Sequence, residues 1–194
     1  DGEAFQEVLT TNFRETMNPQ FFDFDNGHVI YAVSNIGRDK AAVVKYDLKE
    51  KKELELIYKH EEVDIDGISY SSKRKVPTTI SYNTDKMQRE FLDDQTKSIY
   101  KVFENKIGVD NEFYITANNK EENMFLVYVG NDKTRGSYYS LNQSNNELKK
   151  LADLSPWINS EHMASMKPIK YTSRDGLTIH GYLTLPLGVE AKDL

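Results

Sequence analysis

The sequence predicts a mainly β chain: about two four-stranded antiparallel β-propeller blades, one helical insertion at about 92–107 and a β-hairpin at about 168–185. Three observations predict it. Short apolar runs rich in β-branched and aromatic residues alternate with turn signals. Twelve Tyr and nine Phe against only ten Gly and five Pro supply the side chains that pleated sheets favour. One stretch alone changes to helical spacing.

The elements follow in order. Phe21-Phe22-Asp23-Phe24 leads into an Asn26-Gly27 turn and reads as a first strand. His28–Val33, Ala41–Asp47 and Glu53–Tyr58 supply three more, and four short strands make the composition of one blade, at about 20–60. A second unit at about 63–153 contains a hairpin from 63–70 and 77–82, a strand at Met87–Phe91 and the helix. Asp93 and Asp94 stand at the helix start and Gly108 at its end, with Leu92, Ile99, Val102, Phe103 and Ile107 on one stripe. Strands at 112–117, 124–129, 136–141 and 147–151 repeat the blade pattern. Tyr46-Asp47-Leu48 with Lys52-Glu53-Leu54 aligns on Tyr139-Ser140-Leu141 with Asn146-Glu147-Leu148 if one residue is inserted. Residues 1–153 thus read as a partial propeller and 154–167 as a linker.

Composition narrows the function classes. The charges, 25 basic against 31 acidic, are interspersed, so no basic stripe marks a nucleic-acid binder. No apolar run approaches the roughly 18 residues of a membrane span. With no Cys, disulfides, thiolate catalysis and Cys-ligated zinc are excluded. Asp1-Gly2-Glu3-Ala4 reads as an internal or processed start.

Several motifs invite a chemical reading. His60-Glu61-Glu62-Val63-Asp64 resembles a helical zinc motif but carries Asp where the second His belongs, and His28, His60, His162 and His180 are scattered. Asp23-Phe24-Asp25-Asn26-Gly27 and Asp64-Ile65-Asp66-Gly67 lack the distal ligands of a calcium loop and read as turns. No cofactor or metal is expected. Ser173, Asp175 and His180 follow the order of a hydrolase triad, yet Ser173 has no flanking glycines and no G-x-S-x-G occurs. Asp175-Gly176 predicts a tight turn that pairs Ser173 with Thr178 and Tyr171 with His180. Asn142-Gln143-Ser144 matches a glycosylation acceptor. Trp157 is read as a buried anchor for the linker, with a ligand platform as the alternative. Arg38 and Asp39 are read as a solvated ion pair, or as contacts to a substrate or neighbouring domain.

Taken together, Ser34–Val44, Tyr58–Asp66, the stretch Ser81–Asp94 with its helix, and above all Pro156–Asn159 and Met163–Leu177 ending in Gly181-Tyr182-Leu183-Thr184-Leu185-Pro186 resemble the prolyl oligopeptidase family, in its acylaminoacyl-peptidase-like branch. The resemblance implies an N-terminal propeller followed by an α/β-hydrolase domain, of which 168–194 would be the first strands. It implies a parent that is a serine peptidase acting on short peptides, with this chain an inactive, non-catalytic segment that gates peptide access. A His-Gly-Gly segment and a nucleophile elbow would come after Leu194, so no catalytic residue transfers to this chain. Expected partners are peptides, the remaining blades and the hydrolase domain, with self-association through open blade edges and no nucleic acid. Arg38, Asp39, Trp157 and Arg174 are the candidate interdomain or gating contacts. The alternative is a propeller-like binding or scaffold module with no hydrolase in its parent.

Overall fold

A computed structural model describes residues 7–108 and 111–189. The reading of Asp1–Ala4 and the end of the 168–194 segment lie outside these residues. The chain divides into two compact units, Asp1–Ser98 and Ile99–Leu194.

The first unit opens with strands β1 (Met17–Phe22), β2 (Val29–Ser34), β3 (Ala42–Asp47) and β4 (Lys52–Tyr58), which form one antiparallel sheet in chain order. β5 (Ile65–Ser71), β6 (Val76–Asn83) and β7 (Met87–Phe91) form a separate three-stranded sheet. β2 is buried along its whole length. Tyr31, Val33 and Val43 form a cluster with Ile65, Ile68, Ile80 and Tyr82 of β5 and β6. On the opposite face, Ile30, Ala32, Val44 and Tyr46 pack with Leu9, Met17 and Leu48. Burial on both faces explains why β2 reads as a continuous apolar run rather than an alternation. The first strand begins at Met17 rather than Phe21. Pro19 and the unpaired Gln20, where the register shifts, hide its alternation from the sequence.

Helix α1 (Asp94–Ile107) carries the boundary between the units. Asp93 is its cap: Oδ2 accepts from Thr96 N–H at 2.7 Å, and Oδ1 lies 2.5 Å from Arg74 Nη1. Gly108, at φ +86°, donates its N–H to Glu104 and ends the helix in the left-handed conformation that glycine adopts without strain. The predicted stripe needs one correction. Leu92 precedes the helix and is exposed, whereas Tyr100 is buried beside Ile99 and Phe103. Tyr100 and Phe103 each stack near Phe113, at 5.3 Å between ring centres.

In the second unit, β8 (Glu112–Asn118), β9 (Met124–Asn131), β10 (Thr134–Asn142) and β11 (Glu147–Asp153) form the other four-stranded meander. Phe125, Val127, Val129 and Leu141 are buried in it. The stretch expected as a single second blade thus contains two sheets with α1 between them in sequence. The internal repeat is sharper than the sequence alignment made it. Asp47 pairs with Lys52 across the β3–β4 turn, and Asn142 pairs with Glu147 across the β10–β11 turn. Both turns have the same length, so no insertion is needed and Asp47 matches Asn142. Each side chain accepts the N–H two residues on, at 2.8 and 3.0 Å. Each turn ends on a residue with positive φ, Lys51 and Asn146. A short 3₁₀ turn (Ser160–His162) then leads to β12 (Met166–Thr172) and β13 (Thr178–Thr184), a two-stranded hairpin.

The Asp93 cap sets a pH dependence. Burial alone would raise the Asp93 pKa, but the Thr96 hydroxyl, Arg74 and the Thr96 N–H outweigh it and hold the carboxyl below its ordinary value. A depressed carboxylate stabilises the fold fully above its unfolded pKa, roughly 4, and the contribution is lost as pH falls through the folded value. Asp93→Ala is expected to lower unfolding stability by about 1 kcal/mol at neutral pH. The gap to the parent chain should narrow in urea melts below roughly pH 4, where the parent loses the contribution too.

Candidate functional site

The loop between β2 and β3 is built by Asn35. Its Oδ1 accepts Thr16 N–H at 2.7 Å and its Nδ2 donates to Arg14 C=O at 2.9 Å. Arg38 N–H then donates back to Asn35 C=O at 3.0 Å, with Gly37 at φ +71°. This turn sends the Arg38 guanidinium to β4, where Nη2 meets both carboxylate oxygens of Glu53 at 2.7 and 2.8 Å. Arg38 therefore does not pair with Asp39, as the sequence suggested. Asp39 is exposed and lies 3.3 Å from Lys40. Neighbours in a turn point apart, and β4 offers the better carboxylate. Such a half-exposed pair contributes roughly 1 kcal/mol or less, and its main effect is to tie the loop to the sheet.

At the other end of β2, Asp23 Oδ1 accepts the N–H groups of Asp25 and Asn26, and Oδ2 lies 3.3 Å from Lys45. This is turn chemistry, with no further oxygen ligands gathered around it. Burial would raise the Asp23 pKa, but these donors lower it. Tyr58 and Tyr82 both donate to Glu90 Oε1, at 3.4 and 3.1 Å. Burial, then the Tyr82 hydroxyl and the Glu90 charge, push the Tyr58 phenol up. His60 lies against Tyr82 at 4.8 Å, and its Nδ1 accepts the N–H groups of Glu62 and Val63. The imidazole therefore organises its own loop. Among the described residues no group of three or more His, Cys, Asp and Glu is placed to hold a metal ion.

In the second unit, the hairpin register differs from the expected one. Thr172 pairs with Thr178, Tyr171 with Ile179 and Lys170 with His180. Ser173 N–H donates to Leu177 C=O at 2.8 Å and Gly176 N–H to Ser173 C=O at 3.0 Å, with Gly176 at φ +87°. A three-residue loop ending on a left-handed glycine replaces the two-residue turn, and this moves every pairing by one residue. Ser173 Oγ donates to Asp175, which lowers the Asp175 pKa together with the Leu177 N–H. A carboxylate with a depressed pKa is a weak base, and His180 pairs across from Lys170. The three residues are brought together as a hairpin, not as a triad.

Arg174 stands exposed at the loop tip. Trp157 is 77% exposed, which corrects its expected role as a buried anchor. The turn that Ile158 N–H closes onto Ser155 C=O buries Ser155 instead and leaves the indole outside.

The same segment walls a cavity of about 370 Å³. Lys106 and Ile107 at the end of α1 form one side, and Arg135, Gly136 and Ser137 at the start of β10 form another. Lys150 and Asp153, 2.5 Å apart, line the β11 side, and Ser137 Oγ donates to Asp153 at 2.5 Å. Both bonds, that of Lys150 first, hold the Asp153 carboxyl below its usual range. Ser155 is also in the wall, with its hydroxyl buried and unbonded. The lining offers hydrogen bonds and charge to a small polar molecule, and the Ser137 hydroxyl sits beside Asp153, whose lowered pKa makes it a weak base. None of these residues carried a sequence signal, because they come from four separate elements.

No protein-family model matches the sequence, and no curated protein matches it. Solved structures do match the fold. A prolyl endopeptidase, one of two whose inter-domain dynamics were tied to catalysis and specificity, superposes with a TM-score of 0.60 at 10% identity. The match covers 93% of this chain and 26% of that one. Prolyl oligopeptidase B from Galerina marginata, without ligand, gives 0.54 at 12% identity over 95% of this chain and 26% of that one. The same enzyme with a 35mer substrate gives 0.53 at 10% identity, over 93% and 25%. The chain thus has the fold of prolyl oligopeptidase propeller sheets and spans about a quarter of these neighbours' length.

The irregular start of β10 beside the cavity depends on a close approach. A Cβ on Gly136, which has φ +86°, would lie 2.6 Å from the Tyr128 ring, and Tyr128 Oη donates to Arg135 C=O at 3.0 Å. Gly136→Ala is expected to cost about 2 kcal/mol in unfolding stability. In a Tyr128→Ala background the cost should shrink to the backbone part alone, which a double-mutant cycle of denaturant melts would read.

Proposed function

We propose that this chain is a propeller segment of a serine peptidase of the prolyl oligopeptidase type, closest in its sequence pattern to the acylaminoacyl-peptidase-like branch. The observation that carries this reading is the fold likeness over nearly the whole chain, to proteins about four times as long. The order of sequence motifs from Ser34 to Pro186 supports it independently. In this reading the propeller works by steric selection, admitting short peptides to a catalytic domain of which residues 168–194 are only the first strands, and excluding folded proteins. Acyl transfer takes place in that domain. Arg38, Asp39, Trp157 and Arg174 are its candidate interdomain or substrate-gating contacts.

Chain 1–194 alone is expected to show no turnover of a peptide p-nitroanilide or a p-nitrophenyl ester, and no labelling by a fluorophosphonate. Labelled turnover that survives purification controls would defeat the reading of this segment as non-catalytic. The coding sequence decides the parent: a His-Gly-Gly run and a G-x-S-x-G soon after codon 194 support the peptidase, and a stop codon there supports a stand-alone binding module.

A further inference from the structure

The described walls of the cavity lie between Lys106 and Ser160, inside the second unit. Two β-bulges adjoin it. On β10, Arg135 and Gly136 together oppose the single Gly130 of β9. On β11, Leu151 is the extra residue between Lys150, which pairs with Tyr139, and Ala152, which pairs with Tyr138. Bulges re-aim side chains and are over-represented next to functional sites. The effect is plain on β11. Residues three apart on a regular strand face opposite sides of the sheet. Across the bulge, Lys150 and Asp153 face the same side and meet at 2.5 Å. On β10, Tyr128 Oη donates to the Arg135 carbonyl at 3.0 Å and its ring covers Gly136, which stands at φ +86°. The two bulges thus place Arg135 and Asp153 in the wall of one cavity.

The floor of the cavity has a direction. The cross-strand pairs Leu141↔Leu148, Tyr139↔Lys150 and Ser137↔Asp153 follow one another on one face of β10 and β11. They run from apolar to charged. Ile107 and Ile158 add apolar wall from outside the sheet. At the charged end Asp153 is already engaged by Lys150 and Ser137. Lys106 stands in the last turn of α1, where a cation answers the carbonyl end of the helix. Arg135 makes no ion pair among the described residues. Its charge is therefore the one left over, in a chain whose net charge is −6.

We propose that this cavity binds an aliphatic carboxylate, with the carboxylate on Arg135 and the apolar body against Ile107 and Leu148. A guanidinium takes a carboxylate through two parallel hydrogen bonds. The volume of about 370 Å³ falls within the range of small-molecule sites, roughly 300–1,000 Å³. Inorganic phosphate would use Arg135 but leave the apolar wall unfilled, and an apolar cation would be repelled by Arg135 and Lys106. The chemistry is shared by a free branched-chain acid and by the C-terminal residue of a peptide. The proposal stands on the lining alone and is independent of the peptidase reading.

The test follows the backbone amide resonances of chain 1–194 during titration with three compounds. Isocaproate represents the free acid and N-acetylleucine the peptide end. N-acetylleucinamide has the shape of the latter without its charge. At least one of the acids should shift the amides of Ile107, Gly136 and Lys150 and saturate in the millimolar range. The leucinamide should bind roughly tenfold more weakly than N-acetylleucine, or more weakly still. Binding of both acids indicates the shared chemistry, and binding of N-acetylleucine alone indicates a peptide end. Arg135→Gln keeps the carbonyl that Tyr128 holds, so its spectrum should stay that of the folded chain while the preference for acid over amide is lost. Equal binding of acid and amide by the parent chain would overturn the proposal. So would no binding of either acid, shifts confined to other residues, tighter binding of inorganic phosphate than of both acids, or an Arg135→Gln chain that keeps the preference.

Discussion

The first unit depends on two strands that have no solvent face. β2 and β3 are buried on both sides, so the four-stranded sheet is stable only if both sides are covered. On one side the cover comes from β5 and β6, and on the other from Leu9, Met17 and Leu48. Fully burying an Ile or Val side chain stabilises by about 1.5–3 kcal/mol, so the two layers over these strands outweigh any single polar contact in the unit. The polar contacts have a narrower effect. Asn35, Arg38 with Glu53, and Asp64, whose Oδ1 accepts Ala41 N–H at 2.6 Å, hold the β2–β3 loop and the segment that leads from β4 into β5.

The same logic explains what the sequence did and did not reveal. Strands such as 42–47 and 124–131 were legible because apolar runs and turn residues are local signals. The helix was legible because Asp93, Gly108 and the Ile99–Phe103 spacing are all within one short stretch. β1 was misplaced because a proline and an unpaired residue break its alternation. The hairpin register was off by one residue because Asp-Gly is compatible with a two- or a three-residue loop, and only the backbone at Gly176 distinguishes them.

The candidate site was less legible than the fold. Arg38 was matched to its neighbour Asp39 in the sequence because its partner Glu53 is 15 residues away, on another strand. Trp157 was read from its residue type, which favours burial, but the local turn selected Ser155 for the interior. The cavity draws on an α-helix end, the start of β10, an edge strand and an irregular segment, and no spacing rule links these. Only the repeated Asx turns at Asp47 and Asn142 could have been found, by matching turn chemistry instead of aromatic residues.

Among the described residues every sheet is a meander in which each strand pairs with its immediate sequence neighbour. Closing such pairs costs little chain entropy, because each loop spans only a few residues. Local pairing of this kind speeds folding, whereas distant contacts slow it. Strand pairing within each sheet can therefore begin early, although the first sheet becomes stable only when covered. The slower event left to the first unit is the face-to-face docking of β5 and β6 onto β2 and β3, the contact that buries its core. A meander of this kind assembles one sheet at a time in chain order, which suits a polypeptide emerging from its N-terminus.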